Sequence, residues 1–559
     1  MEKIFKIFNK EYTNINQAAI LLGSLTLLSQ ILALFRDRFI AHFVGPGAEL
    51  DAYYAAFRIP DLIFISIASL ASITVLIPFI TAKMKGENVT PEAKKFLNDV
   101  FSVFFVSMTF VSIIVFFLMP YLVHFIAPGF APIMQGKVIM LSRIMLLSPI
   151  LMGLSNLFGT ITQVFRKFFI YSLSPVFYNV SIIFGIVFLY PIFGIKGMAF
   201  GVILGAFMHF LIQAISSYFC GFKPKFSFSI NFKDIKNVVI ISLPRTLGLS
   251  FNSLALIAII AFASFLKSGS ISVFNFSFNL QSVPLNIIGI SYAVAAFPTL
   301  VKSFSSGKID EFKNHLKGAA RQIIFWSLPI TFLFIVLRAQ IVRVILGSGS
   351  FSWDNTRLVA ASLAVFSISI MAQGLIALFA RAYYAGGNTR KPLLINFISS
   401  FSIVLFSFFF LYIFKNFPFF KYFIESLFKV SNIEGTDILM LPLAYSLGTI
   451  INLGLLWYFV KKDFMQKEQF IFKAFFQSLG ASFFIGTVAY IGLNIFSPIF
   501  GTTTFLGIFL QGFISGILGI FAGIIVLYLF KNEELKDLIG VFKTKFWKVK
   551  VIVPSQEEL

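Results

Sequence analysis

Long apolar segments, separated by short polar connections, run along almost the whole of this 559-residue chain. About 20 consecutive apolar residues are enough for a helix to cross the hydrocarbon core of a bilayer. Fourteen segments reach that length, so the pattern predicts an all-α integral membrane protein with about fourteen membrane-spanning helices. The predicted spans are 18–43, 57–82, 99–126, 138–163, 169–190, 194–219, 237–266, 271–301, 318–346, 358–384, 392–414, 438–460, 470–497 and 503–530.

Three pairs of similar segments indicate an internal duplication with a shift of about 220 residues. Each pair joins a segment of the first half to one at the same place in the second half. Parallel repeats of six spans predict two lobes around a central cavity, which can open alternately to either side of the membrane. The pairs are 175–179 with 392–396, 127–130 with 347–351, and 52–60 with 273–284.

The duplication sets the predicted domain boundaries. We expect residues 1–222 to form an N-terminal six-helix lobe and residues 223–465 to form a C-terminal six-helix lobe. Residues 466–530 fall outside the repeat and are predicted to form two additional membrane helices. Residues 531–559 are predicted to form a basic cytoplasmic tail.

The distribution of charge indicates a membrane topology. Hydrophobic residues make up 58% of the chain and charged residues 12%, which excludes an ordinary soluble domain. The net charge of +22 would suit a nucleic-acid partner, but most Lys and Arg residues fall in cytoplasmic segments when the N-terminus is placed in the cytoplasm. We therefore predict no nucleic-acid partner, two cytoplasmic termini, and attraction of the basic segments to anionic membrane lipids.

Sequence motifs of catalysis are missing. The chain contains no P-loop, no H-E-x-x-H pair and no nucleophile elbow. Its single cysteine and four scattered histidines lack the spacing of metal ligands. We therefore predict a protein that is not an enzyme and needs no metal or cofactor. Transport would use an ion gradient, the membrane potential or the downhill flow of its cargo.

The charged residues inside the predicted spans are mostly arginines. A buried cation is costly in a membrane unless it has a partner or a function. Arg36 lies deep in the first span beside Asp37. The pair is either a compensated structural node or a phosphate-binding group in a wet cavity, and the residues alone leave both interpretations open. Four other arginines lie toward span ends and can extend to the interface: Arg321, Arg338, Arg343 and Arg381.

Four more polar residues are candidates for function. Asp51 lies in an external connection, where it could close a gate by pairing with an arginine of the opposite lobe or remain a solvated carboxylate. Arg58 enters the second span. Arg245 directly follows a proline early in the seventh span, and a kink there would face water or protein. Asn279 adds a neutral hydrogen-bonding group in the eighth span, where we expect it to bind substrate, although hydrogen bonding between helices would also explain it.

Several motifs occur in order along the predicted spans: Phe35-Arg36-Asp37, Asp51-Ala52-Tyr53-Tyr54-Ala55-Ala56-Phe57-Arg58-Ile59-Pro60, Ala127-Pro128-Gly129-Phe130, Pro175-Val176-Phe177-Tyr178-Asn179, Ala296-Phe297-Pro298-Thr299-Leu300 and Arg381-Ala382-Tyr383-Tyr384-Ala385-Gly386-Gly387-Asn388-Thr389. Each motif has modest specificity, but their order on fourteen spans is strongly specific. From about residue 18 to about residue 530, the chain resembles the MurJ (MviN) lipid II flippase family. That family belongs to the multidrug/oligosaccharidyl-lipid/polysaccharide (MOP) exporter superfamily.

The resemblance implies a V-shaped cationic cavity between the lobes, in the bacterial cytoplasmic (inner) membrane. Its cargo would be lipid II, an undecaprenyl-diphosphate-linked sugar precursor of peptidoglycan, and the two additional helices would accommodate the lipid tail. Arg36 and Asp37 match the family's functional Arg-Asp pair, and Asp51 matches its acidic gate residue, so Asp37 and Asp51 would organise the gates. Arg36 and Arg245 would grip the diphosphate with assistance from Arg58, and a sodium ion, a proton or the membrane potential would drive transport.

Three departures from the family pattern qualify the expected cargo. Gln30, Phe64 and Asn279 stand where the family usually has arginine. Arg58 and Arg245 are candidates to compensate for these losses. Two alternatives to lipid II transport therefore stay open: export of another lipid-linked oligosaccharide, of the capsule or O-antigen type, and a divergent homologue that no longer transports.

Overall fold

The computed structural model describes residues 15–68, 73–84, 90–165, 167–465 and 471–547. Within these ranges the regular secondary structure is entirely helical, which confirms the predicted fold class. Among the described residues, eleven helices are long and apolar enough to cross a membrane, or twelve if the bent pair Trp353–Ser367 and Ile370–Ala385 forms one span. The other two predicted spans coincide with the helix Ile15–Phe43 and with helical segments between residues 58 and 82. The total of fourteen stays a prediction.

The helices up to residue 263 are Ile15–Phe43, Ala48–Ala56, Arg58–Ile63, Ile73–Ala82, Pro91–Ile126, Pro132–Met145, Leu147–Val164, Phe168–Phe184, Tyr190–Phe193, Ile195–Phe219 and Phe232–Ala263. Those that follow are Ser270–Pro284, Ser291–Ser305, Ile309–Val336, Arg338–Leu346, Trp353–Ser367, Ile370–Ala385, Arg390–Asn416, Pro418–Phe428, Met440–Val460, Phe472–Phe500, Phe505–Leu529 and Glu533–Trp547. Four π-helical segments and one 3₁₀ segment complete the regular structure of the described residues: Phe64–Ala68, Gly185–Leu189, Leu285–Ile290, Lys461–Met465 and Thr436–Leu439.

Local sequence explains where several helices begin and where one changes its winding. The side chain of Thr90 accepts a hydrogen bond from the backbone of Ala93 (3.1 Å), and proline at the first helical position suits this start. Thr504 caps the helix Phe505–Leu529 in the same manner. Pro284 has no backbone N–H, and the helix directly after it widens into the π-helical turn Leu285–Ile290. The span thus continues through the proline.

The chain divides into two compact units. The first unit comprises Met1–Val283, Val342–Ser369 and Gly387–Leu456, and the second comprises Pro284–Ile341, Ile370–Gly386 and Trp457–Leu559. Each half of the predicted duplication contributes residues to the first unit. The predicted lobe boundaries at residues 222 and 465, and those of the two additional helices, remain a prediction.

Two loop contacts inside the first unit follow the shift of the predicted duplication. The backbone N–H of Gly129, after the third span, donates to the Ser264 hydroxyl at the end of the seventh span (2.9 Å). The backbone N–H of Ser350, after the ninth span, donates to the His42 carbonyl at the end of the first span (2.9 Å). Each half therefore places the same loop on the same helix end of the other half. We call these the reciprocal loop contacts.

Glycine is required at both reciprocal loop contacts. A Cβ atom on Gly129 would lie 2.5 Å from the backbone oxygen of Ser264. A Cβ atom on Gly349 would lie 2.3 Å from the backbone oxygen of His42, and the φ angle of Gly349 is +56°. Both distances are far shorter than a normal van der Waals contact, and the neighbours are backbone atoms that cannot rotate away. The close approach of the two halves thus depends on the missing side chains.

In the second unit, small residues allow the helices Phe472–Phe500 and Phe505–Leu529 to pack closely. A Cβ atom on Gly519 would lie 2.7 Å from the backbone oxygen of Ile485. Ion pairs stabilise the position of the last described helix, Glu533–Trp547, because the Arg321 guanidinium donates to both Glu533 and Glu534. Glu534 is buried, so its negative charge depends on this arginine.

Candidate functional site

The candidate site lies in the first unit, where helices from both halves of the chain supply its polar residues. The helix Ile15–Phe43 carries Arg36 and Asp37, and Phe168–Phe184 carries Asn179. The helix Ser270–Pro284 in the second half carries Asn275 and Asn279. We call Arg36, Asp37, Asn179 and Asn279 the Arg36 cluster.

Arg36 is paired with the carboxylate that follows it in the sequence. Its Nε and Nη2 atoms donate to Oδ1 of Asp37 (3.0 and 2.8 Å). Its Nη1 atom donates to the Oδ1 atom of Asn179 (3.3 Å). Asp37 is 2% exposed, whereas 22% of the Arg36 side chain remains accessible. The pair therefore has a buried negative member and a partly accessible positive member.

Asn279 completes the Arg36 cluster from the second half of the chain. Its Nδ2 atom donates to Oδ2 of Asp37 (3.0 Å). The two carboxylate oxygens of Asp37 therefore serve different partners: one binds Arg36 of its own helix, and the other binds Asn279. Asn279 was predicted to contact substrate, and the structure places its amide on this carboxylate.

Arg58 also meets an asparagine of the second half. Its Nη2 atom donates to Oδ1 of Asn275 (2.6 Å), and the Asn275 amide donates to the carbonyl of Ile271 (2.8 Å). In the described part of the chain, the Nε atom of Arg58 and the hydroxyl of Tyr54 are buried and have no hydrogen-bond partner. Arg58 therefore retains an N–H group that an anion could accept from.

Asp51 is buried and binds the beginning of a helix, so it is neither paired with an arginine of the opposite lobe nor solvated, the two alternatives that the sequence left open. Its Oδ2 accepts from the backbone N–H of Gly269 (2.7 Å), and its Oδ1 accepts from the backbone N–H (2.8 Å) and the hydroxyl (2.6 Å) of Ser272. A helix N-terminus presents unpaired N–H groups and a partial positive charge, which favour a carboxylate. Burial raises the pKa of Asp51 to about 6, while the hydrogen bonds from Ser272 and Gly269 act in the opposite direction.

Two other arginines have different outcomes. Arg38 donates from Nη1 to the carbonyls of Val344 (2.6 Å) and Ile345 (3.2 Å), close to the end of the helix Arg338–Leu346. These contacts give it a structural role at a helix C-terminus, where cations are favourable. Arg245 lies in the helix Phe232–Ala263 after Pro244, but its side chain is outside the described residues. Its contact with substrate stays a prediction.

Several partners in the site were not predicted from the sequence, among them Asn179 and the backbone N–H of Gly269. Asn179 belongs to a motif that marked the duplication, but nothing in that motif indicated a contact with Arg36. The one sequence feature that could have identified Asn179 as a site residue is its position four residues after Pro175. The backbone N–H of Gly269 leaves no trace in the sequence, since every residue except proline carries the same group.

Comparison with known proteins gives the family context. The profile of the family described as "Lipid II flippase MurJ" matches residues 40–511, so Arg36 and Asp37 lie just before the matched range. A "Probable lipid II flippase MurJ" of Rhizobium tropici is 26% identical over 382 residues, which cover 67% of this chain and 71% of that protein.

Two solved structures show the same fold. A lipid II flippase MurJ in an inward closed conformation aligns with a TM-score of 0.72 at 23% identity, and it covers 93% of this chain and 100% of its own. An inward-facing multidrug resistance MATE family transporter of the MOP superfamily aligns with a TM-score of 0.61 at 14% identity, over 80% of this chain and 100% of its own. The fold similarity to the flippase structure therefore extends over most of the chain.

Proposed function

The chain belongs to the lipid II flippase MurJ family, and from that premise we propose that it carries lipid II from the cytoplasmic to the external leaflet by alternating access. Lipid II presents a diphosphate between its sugars and its undecaprenyl tail. A buried diphosphate needs cationic partners, and arginine can bind phosphate oxygens with two parallel hydrogen bonds. The observation that carries the proposal is the partly accessible guanidinium of Arg36, which is bound by Asp37 and Asn179 of the first half, while Asn279 of the second half binds Asp37.

The proposed binding step exchanges the partner of Arg36. In the structure its charge is compensated by Asp37, which keeps the cation stable without cargo. A diphosphate would take over part of this role, and Asp37 would keep the amide of Asn279 as its own donor. Arg58, with its buried Nε group, and Arg245 would add further positive charge.

The proposed external closure consists of the reciprocal loop contacts and the three hydrogen bonds of Asp51. All of them join residues of the first half to residues of the second half. Release of the headgroup to the outside would require these contacts to open together. We propose that the membrane potential, or a sodium or proton gradient, drives this cycle. We also propose that the protein lies in the bacterial inner membrane with both termini in the cytoplasm.

The proposal is tested by complementation. Arg36→Ala should abolish the growth of MurJ-depleted cells that depend on this protein, while its abundance in the membrane stays normal. Arg143→Ala is a matched control, because Arg143 donates to the carbonyl of Phe116 and its guanidinium lies over the Phe116 ring (4.7 Å). Full growth with the Arg36 variant would remove this arginine from the site.

The missing arginines favour a second candidate. Gln30, Phe64 and Asn279 make the site less cationic than the family pattern, which would suit another lipid-linked oligosaccharide. A capsule-flippase mutant, complemented in parallel, distinguishes the two cargoes. Rescue of that mutant alone would replace lipid II in the proposal.

A further inference from the structure

Both the nitrogen and the oxygen of the Asn179 side-chain amide make hydrogen bonds. Its Nδ2 atom donates to the carbonyl (3.3 Å) and the hydroxyl (3.2 Å) of Ser29 and to the carbonyl of Pro175 (3.1 Å). Its Oδ1 atom accepts from Nη1 of Arg36 (3.3 Å). The residue is buried, and the contacts link two helices of the first unit.

These contacts determine which way the amide faces. A 180° flip would bring the carbonyl oxygen of Asn179 against the carbonyl oxygens of Ser29 and Pro175. It would also bring two N–H groups against the guanidinium of Arg36, which has only donors. Both changes are unfavourable, so the oxygen of Asn179 is held toward Arg36.

The guanidinium of Arg36 is thereby held at two edges. Asp37 binds the edge formed by Nε and Nη2, and Asn179 binds Nη1 on the other side. A planar group with partners at two edges cannot rotate about its long side chain without breaking one of them. Asp37 alone would hold one edge of the guanidinium and leave the Nη1 side without a partner among these residues.

A neutral acceptor suits this place better than a carboxylate. Asp37 already compensates the charge of Arg36, so a second carboxylate would make the cluster negative and would repel a phosphate. We infer that Asn179 is a positioning residue, which orients the guanidinium of Arg36 toward the diphosphate without reducing its charge. This inference rests on the proposed function.

The duplication supplies a matched control. Asn396 stands in the second half at the position that corresponds to Asn179, four residues after Pro392. Its Oδ1 accepts from the amide of Asn452 (3.0 Å), so its partner is neutral. Replacing Asn396 removes an equivalent side chain from an equivalent helix and leaves the Arg36 cluster intact.

The first test is lipid II binding to the purified full-length protein in lipid nanodiscs. Asn179→Ala should weaken binding about tenfold, which corresponds to ~1.4 kcal/mol. Asn396→Ala should bind within about twofold of the unchanged protein. In an Arg36→Lys background, Asn179→Ala should have less than a twofold effect, because lysine has no second nitrogen for Asn179 to hold. An equal loss in both backgrounds would assign Asn179 a purely structural role and overturn the inference.

A second variant separates positioning from packing. Asn179→Asp keeps the shape of the side chain but loses the N–H groups that donate to Ser29 and Pro175, so a purely structural role predicts a lower melting temperature with lipid II binding no worse than in Asn179→Ala. The positioning role predicts worse binding than in Asn179→Ala, because the added charge opposes the diphosphate. If the aspartate variant does not fold, the effect of Asn179→Ala in the Arg36→Lys background decides between the two roles.

The outcomes also separate this inference from the proposed function. If Arg36→Ala binds lipid II as well as the unchanged protein does, the proposed site itself is wrong. If Arg36→Ala loses binding while Asn179→Ala binds normally, the proposed function stands and only the positioning role is overturned.

Discussion

Adding one methyl group at a reciprocal loop contact should loosen the external closure. The new Cβ atom of Gly129→Ala would lie 2.5 Å from a backbone oxygen, and overpacking of this kind costs roughly 1–3 kcal/mol. Gly349→Ala meets a backbone oxygen at 2.3 Å and also places a side chain at φ +56°. The left-handed conformation adds roughly 1–2 kcal/mol, so the total for Gly349→Ala is about 2–5 kcal/mol.

A buried thiol near Asp51 can report this loosening. Ser270 is buried at the beginning of the helix Ser270–Pro284, and Ser270→Cys is nearly isosteric there. With the chain's only cysteine replaced by Cys220→Ser, a membrane-impermeant thiol reagent added outside would label position 270 only during opening. A loss of about 2 kcal/mol from the closed state corresponds to a roughly 30-fold higher labelling rate.

Alanine substitutions at two control glycines separate the effect of backbone strain from the effect of overpacking. Gly194 lies in an external connection and has a φ angle of +60° and open space around it, so Gly194→Ala measures backbone strain alone. Gly136 lies within a helix with open space around it, so Gly136→Ala should leave labelling unchanged. The reasoning is refuted if Gly129→Ala and Gly349→Ala are labelled at the control rate, or if Gly136→Ala is labelled as fast as they are.

Three further perturbations have defined outcomes. The pKa of Asp51 is raised to about 6 in the closed arrangement, so closure should be strongest below about pH 4 and weaken as the pH rises through 6. The rate of labelling at position 270, normalised to that of an exposed thiol, should therefore increase as the pH rises through 6. Asp51→Asn should remove this pH dependence. Arg38→Ala should lower the melting temperature through loss of ~1–3 kcal/mol of helix-end hydrogen bonding, and Arg38→Lys should restore part of it. Arg321→Ala leaves the buried Glu534 unpaired and should cost about 3–5 kcal/mol in thermal unfolding. Lys473→Ala, which removes an exposed pair, should cost about 0–1 kcal/mol, and equal effects would contradict the role of burial.

The helical spans could be predicted from the sequence because each depends on a continuous local run of apolar residues. Each apolar run carries its own evidence for a helix, and the structure places helices on the predicted spans. Breaks inside the spans were not predicted. The interruption at Leu146 follows from Pro149, which cannot donate a hydrogen bond to the carbonyl of Met145 and clashes with it. Leu337 has no breaking tendency of its own, so packing against neighbouring helices decides the interruption there.

The candidate site was only partly readable, since its contacts join distant parts of the chain. Arg36 and Asp37 are adjacent, and their pairing could be anticipated from the cost of a buried cation. The partner of Asp51 is a backbone group 218 residues away, which no side-chain pattern reveals. The contact of Asn179 with Arg36 also joins residues that are far apart in the sequence, so it could not be predicted either.

The attachment of Asp51 to a helix beginning has a consequence for the environment of the protein. Charged side chains that meet at an exposed surface are screened by dissolved ions, with a Debye length of about 8 Å at physiological salt. The amide groups that bind Asp51 are fixed in the backbone and enclosed, so ions cannot compete for them. A bacterium that moves between fresh and saline surroundings would therefore keep the same threshold for opening this transporter outward.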